Sequence, residues 1–131
     1  MERISGYLYP DSTIAGFSHT HLSGTGAGDL YDISFMPVTL PYQEAEAPLG
    51  IYSKFSHADE EASAGYYRVL LKDYDINVEL TATERCGIQR YTFPEGESAV
   101  FLNLKKAMNW YFNNYYYIEI IYSFTIHGYR F

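Results

Sequence analysis

The dominant period in this chain is two. From Ile76 the residues read Ile-Asn-Val-Glu-Leu-Thr-Ala-Thr-Glu84. Ile76, Val78, Leu80 and Ala82 fall on one side, and Asn77, Glu79, Thr81 and Thr83 on the other. That alternation predicts a half-buried antiparallel strand. Gly65–Lys72 precedes it, with Asp73-Tyr-Asp75 as a short polar link, so the two segments predict a hairpin. Cys86-Gly87 turns the chain into a strand over Ile88–Phe93, Pro94–Glu97 is a further turn, and Ala99–Leu104 is the next strand. The spacing predicts a meander with the rhythm of a β-sandwich or barrel.

The first half is looser. Thr13–Thr20 and Tyr31–Met36 are expected strands around a glycine-rich turn. Pro37–Gly50, with three prolines and several acids, is expected to be a surface loop. Ile51–His57 reads as a strand and Ala58–Ser63 as a solvated turn. No internal repeat is visible, and no long amphipathic helix precedes Leu104. From Lys105 the sequence changes character, with Asn, Tyr, Ile and Phe crowded together and few turn residues. A final aromatic strand pair is one account of this tail. Translation in a shifted frame after Trp110 is the other, because AT-rich DNA encodes this residue set. The chain is accordingly divided into a partial β-sandwich over 1–110 and a divergent aromatic tail over 111–131. An unpaired run of this kind is an aggregation hazard.

Composition narrows the classes. At 131 residues, 47% hydrophobic and 18% aromatic, the chain is one domain or part of one, and can bury a core without disulfides. Cys86 is the single cysteine, which excludes an internal disulfide framework and a cysteine-based zinc site. A net charge of −7 argues against a nucleic-acid partner. Residues 1–15 show no signal-peptide pattern, and no run approaches the roughly 20 apolar residues that span a bilayer.

The segment Gly16-Phe-Ser-His-Thr-His-Leu-Ser-Gly-Thr-Gly-Ala-Gly-Asp29 holds the most specific chemistry. His19 and His21, at i and i+2, share a face if the segment is a strand. With Asp29 or Asp32 they have the makings of a metal site, or they serve sugar or structural hydrogen bonds. The run Ser23-Gly-Thr-Gly-Ala-Gly28 lacks the spacing of a dinucleotide fingerprint, leads into a strand rather than a helix, and has no Walker lysine. Its glycines permit positive φ and close backbone approach, presenting N–H groups and the Ser23 and Thr25 hydroxyls. Ser56-His57-Ala-Asp59 has the residue types of a hydrolase triad, but sequence neighbours rarely converge as a triad must. A glycosidase needs two carboxylates about 5–10 Å apart. Glu44, Glu46, Glu60, Glu61, Glu79, Glu84, Glu95 and Glu97 fall mostly on loops or polar faces, and none stands out as a desolvated acid. Trp110 and the tyrosines have faces suited to stacking on sugar rings, although most tyrosines at strand spacing pack in a core or rim.

The string Gly16–Gly26 together with Asp32-Ile-Ser-Phe-Met-Pro37 resembles the N-terminal domain of glycoside hydrolase family 92, the calcium-dependent exo-α-mannosidases. Tyr52–Tyr67 and Leu80–Gly87 support the match, which runs from about Ile4 to Trp110. The resemblance implies an all-β fold, part of a supersandwich-like antiparallel β-sandwich; the chain diverges from the family pattern after Trp110, where the residues themselves suggest an irregular tail or an extra aromatic strand pair. It implies an inverting exo-α-mannosidase acting on N-glycans or mannans, usually periplasmic or secreted. Its acid, base and most calcium contacts lie on an (α/α) toroid absent from this sequence, as are the opening strands before Ile4. The chain alone is therefore expected to have no catalytic residues, no metal and no activity. Its partners are expected to be an α-mannoside glycan and the toroid, with self-association through exposed strands. His19, His21, Ser23, Gly24, Thr25, Gly26 and Asp29 are the expected sugar-facing residues. The alternative is a free-standing, non-catalytic β-sandwich that binds carbohydrate or protein.

Overall fold

The computed structural model describes residues 7–18, 33–42, 50–103, 116–122 and 125–130, the last two as backbone only. They form an all-β sandwich of antiparallel strands: β1 (Thr13–Ile14), β2 (Phe17–Ser18), β3 (Ser34–Thr39), β4 (Ser53–Lys54), β5 (Glu60–Ser63), β6 (Tyr66–Leu71), β7 (Ile76–Ala82), β8 (Gly87–Thr92) and β9 (Ser98–Asn103), with β10 (Tyr116–Tyr122) and β11 (Thr125–Arg130) near the C-terminus. A 3₁₀ turn, His57–Asp59, enters β5.

One layer is a four-stranded sheet in the order β5-β6-β7-β8. Its register is legible in the side chains. Glu61, Arg68, Glu79 and Arg90 stand opposite one another across all four strands, a row of alternating charge on the outer face. Arg68 pairs with Glu61 at 3.3 Å, and Arg90 forks onto Glu79 with two 2.6 Å hydrogen bonds. Opposite charges directly across a ladder favour this register, and a slip of one residue would bring the charged row to the inner face. On that inner face Val69 and Val78 pair at zero exposure, as do Leu71 and Ile76.

The expected meander holds for β6 to β8 and then stops. β9 crosses to the second layer and pairs along the whole of β3, within a three-stranded sheet ordered β2-β3-β9. Met36 and Val38 of β3 and Phe17 of β2 complete the core with Phe55 and Tyr74. The expected surface loop from Pro37 is corrected here, because Pro37, Val38 and Thr39 belong to β3 and the first two are fully buried. A proline has no N–H for a ladder. It is accommodated because β2 pairs only with Ser34 and Phe35 and ends short of position 37.

The other boundaries also shift. The expected strand over Ile51–His57 reduces to β4, which pairs with β1. The expected solvated turn over Ala58–Ser63 is instead the end of the 3₁₀ turn and β5. Thr13–Thr20 is broken at Gly16, where φ is +144°. The β6–β7 link is tied to β4: Asp73 Oδ2 accepts from the Lys54 N–H at 2.8 Å, and the buried Ser53 hydroxyl accepts from the Asp73 N–H at 3.2 Å. Asp75 turns the chain at φ +53°, which aspartate tolerates better than most residues. β10 and β11 pair with each other as a separate two-stranded ladder.

Gly16 carries a sharp constraint. A Cβ there would lie 2.3 Å from the Ser34 hydroxyl and 3.2 Å from the Phe35 carbonyl. Gly16→Ala is expected to lower unfolding stability by about 1–3 kcal/mol, measured by urea denaturation. Gly96→Ala, also at positive φ but with nothing within 4 Å, is expected to cost less. Leu71→Ala, at a fully buried position, should cost about 2–5 kcal/mol in the same assay.

Candidate functional site

The apolar inner face of the four-stranded sheet opens toward one end. Along β7 the inward residues pass from Ile76 and Val78, fully buried, to Leu80, half-buried, and Ala82, exposed. At that end the strand termini at the β5–β6 and β7–β8 turns border a cavity of about 390 Å³, and Ser18 of the second sheet forms part of its wall. Tyr66, Tyr67, Leu80, Thr81, Ile88 and Gln89 line it, with Gly65 and Gly87 leaving room for close backbone approach. Mostly apolar walls with a few polar groups suit a small organic ligand or an inserted side chain.

Ser18 is the residue just before the histidine–glycine segment. It pairs with Ser34, so the described residues that flank the segment meet at one point on the ladder. Among the expected site residues, His19, His21, Ser23, Gly24, Thr25, Gly26 and Asp29 all lie outside the described residues, as do Asp32, Glu44, Glu46 and Trp110. The structure brings their attachment point to the cavity wall.

Beside the cavity lies a carboxylate that the alternation of charged and apolar residues obscured. Glu60 is not part of a solvated turn. It begins β5 on the inner face, opposite Val69, and its side chain is only 9% exposed. Its Oε2 bonds the His57 ring at Nδ1 and accepts from the Tyr7 hydroxyl at 3.2 Å. Oε1 is buried with no hydrogen-bond partner among the described residues. Burial pushes the Glu60 carboxyl up, but hydrogen bonding from His57, then the Tyr67 and Tyr7 hydroxyls, outweighs it and holds the group below the ordinary carboxylate range. Burial first, and then the Glu60 carboxylate, raise Tyr67 strongly. The same two causes push Tyr7 up to about 12, although the residue as a whole is half exposed. Tyr67 thus faces both the carboxylate and the cavity. The sequence did contain a signal for Glu60: Ala64-Gly65 makes a turn between Glu60–Ser63 and Tyr66–Leu71, and so places a strand where the acids suggested solvent.

Neighbouring groups have separate tasks. The Ser56 hydroxyl accepts from the Ala58 N–H at 3.3 Å, His57 turns to Glu60, and Asp59 pairs with Lys72 at 3.0 Å. These three side chains do not form a relay. Glu79 lies on the outer face, where hydrogen bonds from Arg90 and then Tyr66 hold it low. Among the described residues, no group of three His, Cys, Asp or Glu side chains converges as a metal site. No helix among them is long and apolar enough to cross a membrane.

The chain belongs to the family described as the glycosyl hydrolase family 92 N-terminal domain, whose model matches residues 1–131. Among solved structures it is similar to a family 92 α-mannosidase from Bacteroides thetaiotaomicron in complex with mannoimidazole, at 39% identity and a TM-score of 0.70, covering 78% of this chain and 14% of that one. A second structure of that enzyme gives the same identity and TM-score and covers 78% of this chain and 15% of the other. The chain therefore spans about a seventh of the length of these relatives. No curated protein matches it significantly.

Removing the Tyr67 hydroxyl removes one of the contacts that hold Glu60 ionised. In Tyr67→Phe the Glu60 carboxyl is expected to titrate at higher pH than in the parent, read from the pH dependence of its ¹³C carboxyl resonance.

Proposed function

We propose that this chain is the β-sandwich part of an inverting exo-α-mannosidase, and that it shapes one wall of the sugar pocket while a helical domain supplies the reacting acid and base. The observation that carries this reading is positional. The histidine–glycine segment departs from Ser18, and Ser18 also walls the open-ended cavity. Glycines there allow backbone N–H groups to approach a hydroxyl-rich ligand. His21 and Asp29 are assigned to hydrogen-bond sugar hydroxyls or brace the turn against the second domain, and His19, Ser23, Gly24, Thr25 and Gly26 complete the rim. The similarity to an α-mannosidase solved with mannoimidazole supports the same substrate class.

Inversion needs an acid, a base and a water between them, with the two carboxyl groups about 6.5–9.5 Å apart. Glu60 and Glu79 do not provide that pair. Glu60 is already bound to His57 and lies on the inner face of the sheet, whereas Glu79 is clamped by Arg90 on the outer face. Both are held in the ionised state, so neither is a general acid at neutral pH. The chain's own part is to bind and orient: the cavity wall excludes water and the rim holds the sugar.

The test is hydrolysis by the purified chain. No release of mannose from a synthetic α-mannoside is expected from it alone, and addition of a family 92 helical domain is expected to restore release. Release by the isolated chain above a heat-treated blank contradicts the assignment. Binding to a glycan array without any rescue by the helical domain favours the free-standing carbohydrate-binding alternative.

A further inference from the structure

His57 has both ring nitrogens engaged by acceptors. Nδ1 bonds the Glu60 carboxylate, and Nε2 lies 2.7 Å from the Tyr9 carbonyl. A neutral imidazole has one N–H and satisfies only one such partner, whereas the imidazolium satisfies both. The Tyr9 ring stacks on the imidazole at 4.1 Å and 7°, a face-on contact that a cation strengthens. The Phe55 ring meets its edge at 5.2 Å. Tyr7, two residues before Tyr9, donates to the same carboxylate and packs edge-on against Tyr67 at 6.2 Å. Tyr9 on the imidazole and Tyr7 on the carboxylate thus tie their segment to the 3₁₀ turn and to β5.

We propose that protonated His57 is a pH-dependent latch that holds residues 7–11 against the β5 edge of the sandwich and braces Tyr67 at the cavity wall. Loss of the proton leaves a single ring N–H. The carboxylate keeps it, because the charged acceptor makes the stronger bond. The Tyr9 carbonyl then loses its donor, the stacked ring loses its cation, and the segment loosens at Tyr9 while the Tyr7 hydroxyl stays on the carboxylate.

The titratable groups facing His57 are few. Glu60 comes from β5, and Tyr7 and Tyr9 come from the segment itself. Tyr67 of β6 reaches the ring only through Glu60, and the adjacent Asp59 is turned to Lys72. The Glu60 hydrogen bond raises His57 above its ordinary value, with a smaller contribution from the Tyr9 carbonyl, against the opposing effect of burial. Because the folded protein holds this proton more tightly than the unfolded chain, the latch is complete below the ordinary histidine value of about 6.5. It is lost as pH rises through the higher folded-state value. Glu60 acts in the opposite sense. It is lowered on folding, so its share is present above the ordinary carboxylate value of about 4.3 and is lost as pH falls through its folded-state value. The latch is therefore closed between these two limits.

The test is a pH titration of the full chain by NMR, with His57 signals assigned by their absence from His57→Gln. The His57 midpoint is expected above 6.5. The hydrogen-exchange protection factor of the Asp11 amide and the Tyr9 ring-current shift are expected to collapse across the same midpoint. Glu60→Gln is expected to move the midpoint down and open the segment at lower pH. A midpoint at or below 6.5 in the parent overturns the proposal, as does a normal midpoint through which Asp11 protection and the Tyr9 signals stay constant. Both are parent-protein measurements, so they decide the matter even if a variant fails to fold.

Discussion

The structure depends on the registry of one four-stranded sheet. Glu61, Arg68, Glu79 and Arg90 align with alternating sign on the outside, while Val69 and Val78, then Leu71 and Ile76, align on the inside. Side chains alternate faces with a period of two, so these two sets are locked together. Any slip would bury charge and expose the core at once. Surface ion pairs contribute little stability individually. Their value here is in excluding the wrong pairings, while the apolar face supplies the driving force.

That inner face needs a cover, and β3 provides it. Met36 and Val38 close over the sheet, and β9 leaves the meander to extend the covering layer. Among the described residues the cover does not reach the end of the face beneath it. Beyond Val78 the core thins to Leu80 and opens at Ala82, and the cavity occupies that end. Ser18, which precedes His19, forms part of its wall.

Glu60 shows how such an arrangement generates unusual chemistry. An acid at an inward position is costly to bury unless it is paired and hydrogen-bonded. His57, Tyr7 and Tyr67 supply that pairing, though Oε1 has no hydrogen-bond partner among the described residues, and two of the three, His57 and Tyr7, come from outside the four-stranded sheet. A buried carboxylate, an imidazolium and the segment at Tyr7–Tyr9 thereby become one unit. Tyr67 joins that unit to the cavity wall.

Alternation over Ile76–Ala82 was enough to define β7 and its inward face, and the Asp73–Asp75 link was enough to define the hairpin. Both are local consequences of side-chain period and turn chemistry. The histidine–glycine string was specific enough to identify the family, because a sequence pattern of that length does not depend on seeing its fold. Other features were decided only in three dimensions. Ile88 looks like a core residue and is 59% exposed, because the ladder with β7 places Gln89 and Tyr91 inward instead. Pro37 looks like a loop residue and is buried in a strand, because its neighbour β2 is only two residues long. Glu60 looks like a solvated acid and is buried, because His57, Tyr7 and Tyr67 arrive from separate parts of the chain to receive it. Local sequence carries the period of a strand. Which face meets the core, and which distant groups meet there, depends on strand pairings between residues far apart in the chain.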